Sequence, residues 1–181
     1  MKKILPSLMA VALLLSLCAC GSSPVTSSAD ASSAAVSASQ ASATQEFTDS
    51  LGHTVTLPAD IQRVAVSGPL AQIYLFALCP DKLVGVSNAW DETAKAYLDE
   101  KYASLPDLGQ LYGGKGELNL ETLLSSGAEV VIDVGEPKKS AAEDLDALQQ
   151  QTGIPFIHVT ATLAASGDAY RMLGSVLGMP E

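Results

Sequence analysis

The stretch EVVIDVG, Glu129 to Gly135, is apolar at nearly every position, with one carboxylate inside it. A strand without alternation is buried on both faces, as in parallel sheets covered by helices. Three further runs repeat the signal: RVAVSG (Arg63 to Gly68), KLVGVS (Lys82 to Ser87) and IPFIHVT (Ile154 to Thr160). Helical spacing fills the gaps between them. Pro69 suits the first turn of a helix, and Leu70, Ile73, Tyr74, Ala77 and Leu78 follow it on one face. DETAKAYLDEKYASL reads as a polar-faced helix. Asn119 is placed to cap LETLLSS, with Gly127 past its end. Another helix is expected near Ser140 to Gln151. A last one buries Ala169, Met172, Leu173, Val176 and Leu177, with Gly178 and Pro180 as stop signals. In front of all this, FTDSLGHTVTLP alternates around a turn and predicts a β-hairpin. Strands alternating with helices predict an α/β fold, a Rossmann-like lobe whose central, mainly parallel sheet is covered by helices.

The N-terminus is of another kind. Met1-Lys2-Lys3 is a short basic start, and Ile4 to Ala19 is almost wholly apolar. That run is shorter than the roughly 20 residues of a spanning helix, and its flanks are those of an export signal. Leu17-Cys18-Ala19-Cys20 resembles the lipobox of bacterial lipoproteins, in which the last cysteine receives a diacylglycerol before cleavage. Cys18 departs from the usual residue there but is small enough to fit. Modification at Cys18 would leave bulky Leu17 at the cleavage point, which favours Cys20. From Gly21 to Gln45, 16 of 25 residues are Ser or Ala and the only charge is Asp30. Such a segment buries too little apolar surface to offset the entropy of ordering it. The chain therefore divides into a lipoprotein signal peptide (1–19), a lipidated cysteine with a disordered tether (20–45), and a domain (46–181).

Several classes of function fall away. The formal charge of −10 makes nucleic acid a poor partner. Cys79, in LFALCPD, reads as a small core residue, so there is no disulfide framework. No G-x-S-x-G elbow or comparable signature accompanies the two histidines, and an enzyme is not expected. His53 falls at the hairpin turn, and His158 near the end of the last strand, where it either reaches the cleft or hydrogen-bonds in the core. Asp49, Asp133 and Glu136 could be called paired carboxylates, but nothing in their spacing brings two together. Two distant histidines do not make a metal centre.

The order TDSLGHTVTLPADIQRVAV, DKLVGVS, LPDLG, NLETLLSSGAEVVI and TGIPFIHV over Phe47 to Glu181 resembles the iron-siderophore, haem and cobalamin class of solute-binding proteins of ABC importers. The resemblance implies a monomeric protein at the extracytoplasmic face of the cell membrane, lipid-anchored and partnered by an ABC permease. Its ligand would be a ferric siderophore, haem or a corrinoid such as cobalamin, with no resident cofactor. Members of that class have two lobes joined by a long helix. This chain matches the N-terminal lobe, and LGMPE falls about where that helix begins. Gly127-Ala128-Glu129 replaces the usual Lys-Pro-Asp, a change expected to be neutral. A tethered interaction or sensory domain without a small ligand is the alternative.

In an open parallel sheet, ligands bind beyond the carboxyl ends of the strands. Those ends carry Ser67, Asn88, Trp90, Tyr112, Lys115 and Glu136, which are the candidate ligand-binding residues. Trp90 either stacks on a flat ring or plugs the core over the second helix. Lys115 lies in the glycine-rich loop GQLYGGKGE and suits an anionic ferric complex or a propionate. Glu121, in the first turn after Asn119, is at least a favourable helix-start charge. The resemblance adds a docking role, with the matching glutamate meeting arginines of the permease.

Overall fold

The structure, a computed structural model, describes residues 43–112 and 117–179. The signal peptide, Cys20, most of the tether and Lys115 lie outside the described residues. Strand β1 (Thr44–Thr48) pairs antiparallel with β2 (Thr54–Pro58), the expected hairpin. Alternation works as read: Val55 and Leu57 are buried while Thr54 and Thr56 face solvent. β1 starts within the stretch assigned to the tether, where Gln45 Nε2 donates to the carbonyls of Pro58 (3.0 Å) and Val176 (3.1 Å). Asp49 closes the turn by accepting from the N–H groups of Leu51 and His53, both at 2.9 Å.

Strands β3 (Val64–Val66), β4 (Val130–Gly135) and β5 (Phe156–Thr160) form a parallel sheet in the order β3-β4-β5. Val66 lies beside Ile132, and Ile132 beside Ile157. Alternate residues serve opposite faces. Val66, Ile132, Ile157 and Val159 pack with helices α1 (Pro69–Leu78) and α6 (Ser166–Val176). Ala65, Val131 and Phe156 pack instead with Leu123 and Leu145. Those leucines come from α4 (Leu120–Ser125) and α5 (Ala141–Thr152), in chain order after two single-turn helices, α2 (Glu92–Lys95) and α3 (Glu100–Ala103). Each fully buried aliphatic side chain contributes about 2 kcal/mol by leaving water. The sheet is thus sandwiched between helices, as the unbroken burial of β4 requires. Asn119 Oδ1 caps α4 by accepting from Thr122 N at 3.0 Å. The carboxylate of Glu129, where the related pattern has Asp, accepts from the N–H groups of Gln62 (2.7 Å) and Arg63 (3.0 Å) at the start of β3.

At β5, three side-chain oxygens meet the strand's N–H groups. Phe156 N donates to Gln149 Oε1 (3.1 Å), His158 N to Asp49 Oδ2 (3.1 Å) and Thr160 N to Ser50 Oγ (2.9 Å). The hairpin turn is thereby fastened to the sheet.

Three local expectations are corrected. KLVGVS is not a strand: Leu83 bridges to Val64, and Val86 turns to bridge Asp107. Gly85 sits between these bridges, and Leu108 fills the space where a side chain at 85 would stand. The segment after Trp90 is not one helix but α2 and α3, the second starting at Glu100. Helix α1 is rotated from its predicted face, burying Ala71, Gln72, Tyr74 and Leu75 and leaving Leu70 and Ile73 exposed. A buried polar tie accompanies that rotation, because Gln72 Oε1 accepts from Ser87 N (2.7 Å) and Ser87 Oγ (2.8 Å). Tyr74 meanwhile stacks on Tyr170 with ring centroids 4.7 Å apart. Among the described residues, no helix is long and apolar enough to cross a membrane.

Candidate functional site

β3 and β4 run side by side, and a cavity of about 160 Å³ opens at their carboxyl ends. Its lining includes Ser67, Leu70, Tyr112, Asp133, Glu136 and Lys138. Ser67 and Asp133 are buried, whereas Glu136 and Lys138 are exposed at the rim. The first turn of α1 contributes Gly68, Pro69 and Ala71 to the same wall.

The register explains how the floor is built. Val66 pairs with Ile132, so Ser67 follows beside Asp133, and Asp133 pairs directly with His158. All three share the face that carries Ala65, Val131 and Phe156, because side chains alternate with period two. Ser67 Oγ donates to Asp133 Oδ1, and His158 Nδ1 lies 2.7 Å from Asp133 Oδ2. His158 is only 1% exposed, and its Nε2 has no hydrogen-bond partner among the described residues. Of the two readings of this histidine, the structure supports the core hydrogen bond and not the reach into the cleft. Two carboxylates that sequence spacing kept apart also converge here. Asp49 accepts from the backbone of His158 and Asp133 bonds its ring.

This row has the residue types of a hydrolytic triad in the wrong order. The carboxylate stands between serine and imidazole, so the hydroxyl hydrogen goes to Asp133 and no nucleophile–base contact is made. Among the described residues, no group of three or more His, Cys, Asp or Glu is placed to hold a metal ion.

At the outer wall, the Tyr112 hydroxyl donates to Asp144 Oδ2 at 3.1 Å, and the Lys138 ammonium lies 3.9 Å from the Tyr112 ring centroid. Burial and the Asp144 carboxylate push the Tyr112 hydroxyl well above its ordinary titration range. Tyr112 therefore stays protonated and ties its own position to α5.

Of the residues expected at the ligand, Ser67, Tyr112 and Glu136 line this cavity. Asn88 is exposed and donates to Ser87 Oγ at 3.3 Å, outside that lining. Trp90 also lies outside that lining. It is half-buried and edge-on to Phe76 (centroids 5.4 Å, 64°), and its Nε1 donates to Tyr102 O at 3.0 Å. Glu121 is exposed in the first turn of α4. Asp133 and Lys138 line the cavity without being among the residues the sequence points to. The signal for Asp133 was available, since a carboxylate inside an otherwise apolar strand needs partners. A wider groove of about 860 Å³ lies between the C-terminal ends of α1 and α6. Among the described residues its one charged lining residue is Arg171, which is paired with Asp168.

No family model matches the chain. No curated protein matches it either. Solved structures do share its fold. An ABC transporter solute-binding protein from Sulfurospirillum deleyianum aligns over 74% of this chain and 42% of its own, with 24% identity and a TM-score of 0.62. A periplasmic solute-binding protein from Veillonella parvula aligns over 76% and 42%, with 21% identity and a TM-score of 0.59. The haem-binding protein HmuT aligns over 76% and 42%, with 20% identity and a TM-score of 0.53. The chain thus spans less than half the length of each of these proteins, and its α/β architecture matches a lobe of theirs.

Proposed function

We propose that this chain is the N-terminal lobe of an extracytoplasmic substrate-binding protein of an ABC importer, anchored through lipid on Cys20. Its ligand is an iron complex, either a siderophore or haem, or cobalamin. The observation that carries this reading is the cavity at the carboxyl ends of β3 and β4, in a fold shared with solute-binding proteins. That is where an open parallel sheet receives ligands. The test is a calorimetric titration with a ferric siderophore, haemin and cyanocobalamin, in which at least one is expected to bind. Failure of all three, with stable binding of a protein instead, would favour a tethered interaction domain. The exposed Leu70 and Ile73 on α1 are the observation on that side.

Glu121 is the proposed contact with the permease. It projects from α4 into solvent, where a charge-assisted contact with arginine is available. Its favourable interaction with the helix start is worth only about 0.5 kcal/mol. Glu121→Gln is therefore expected to lower permease association in a pull-down while thermal stability and ligand affinity barely change. Lost stability with intact association would reduce Glu121 to a helix-start charge.

A further inference from the structure

We infer that Asp133 and His158 are positioning residues that make Ser67 a fixed hydrogen-bond acceptor at the cavity floor, and that the cavity therefore takes an amide group of its ligand. This rests on the binding role proposed above. A carboxylate only accepts hydrogen bonds. Asp133 has Ser67 Oγ donating to one oxygen and His158 Nδ1 at 2.7 Å from the other. The hydroxyl hydrogen of Ser67 is thereby committed inward, and only its lone pairs remain for the cavity. An unrestrained serine would offer either polarity; this one offers acceptance alone. His158 holds the far side of Asp133 from a position 1% exposed, so the carboxylate has no freedom to turn away.

Beside that acceptor stand donors. Gly68 caps α1 without a side chain, and the first turn of any helix leaves N–H groups such as those of Leu70 and Ala71 without intrahelical partners. Both residues line the cavity. An acceptor next to donors complements a group that has an N–H and a C=O together, which is an amide. About 160 Å³ admits such an edge group and not a whole macrocycle.

The three ligand classes divide on this point. Corrinoids carry side-chain amides, and hydroxamate siderophores carry amide linkages. The polar edge of haem is made of carboxylates, which have nothing to donate to Ser67 and would face Asp133 as like charges.

The experiment measures affinities of the full chain for cyanocobalamin, a linear ferric trihydroxamate and haemin. An amide-bearing complex is expected to bind more tightly than haemin. In Asp133→Asn, His158 keeps the amide oxygen, so the new NH2 faces Ser67 and donates to it. The serine hydrogen is then released into the cavity. The ratio of amide-complex affinity to haemin affinity is expected to fall about tenfold. Ser67→Ala should lower the same ratio, and Ser67→Thr, which keeps the hydroxyl, should restore it. Should Asp133→Asn fail to fold, the Ser67 pair decides. Tighter binding of haemin by the unmodified chain, or a ratio unmoved by Asp133→Asn and Ser67→Ala, overturns the inference and leaves the binding role standing. No binding of any probe overturns both.

Discussion

Asp49→Ala is expected to destabilise the domain by about 3 kcal/mol, read as a lower urea midpoint with an unchanged slope. The side chain is 5% exposed and accepts three backbone N–H groups, from Leu51, His53 and His158. The N–H groups of the turn regain water when the carboxylate is lost. That of His158 does not, because the residue is 1% exposed, and an unsatisfied buried donor costs about 1–3 kcal/mol by itself. Asp49→Asn keeps one acceptor oxygen and should lose less. A loss below about 1 kcal/mol for the alanine variant would show that the hairpin turn adds little to the sheet it touches.

Gly109→Ala should cost about 3 kcal/mol, and Gly153→Ala only about 1 kcal/mol. Both glycines have φ of 72°, so the penalty for placing a side chain in the left-handed region is common to the two. Their surroundings differ. A Cβ at Gly153 would meet nothing within 4 Å, whereas one at Gly109 would collide with the carbonyl oxygen of Glu117. That neighbour is backbone and cannot swing aside. The loop would have to open, carrying with it the bond from Leu111 N to Ser67 O, now 2.7 Å. Equal losses in the two variants would show that the loop relaxes freely and that only the dihedral matters.

What was legible in the sequence was local. The hairpin announced itself by Val55 and Leu57 alternating around a turn. β4 stood out through its unbroken apolar run, and Asn119 was recognisable as a cap beside its helix. What was not legible depended on distant partners. α1 carries Leu70 and Ile73 at core spacing, yet Gln72 is drawn inward by Ser87, fifteen residues away. KLVGVS has the composition of a strand, but Val86 finds its partner at Asp107 and leaves the sheet. Trp90 lies on a loop beyond a predicted strand and looks free, yet Phe76 packs against its ring and the Tyr102 carbonyl holds its N–H. The cavity was half visible: Ser67 and Glu136 follow strands and could be named, while the convergence of Asp49, Asp133 and His158 appears only once the register is known.

The three side-chain oxygens along β5 have a consequence for behaviour at high concentration. An edge strand normally displays a row of free backbone groups on which another chain can build, and this is the usual route to sheet-mediated aggregation. A β-strand from a second molecule could add beside β5 only by displacing Gln149, Asp49 and Ser50 from Phe156, His158 and Thr160. Two of the three guards come from the hairpin turn, so the N-terminal hairpin protects the finished sheet from polymerising along that side. Molecules caught before the hairpin docks would have no such protection.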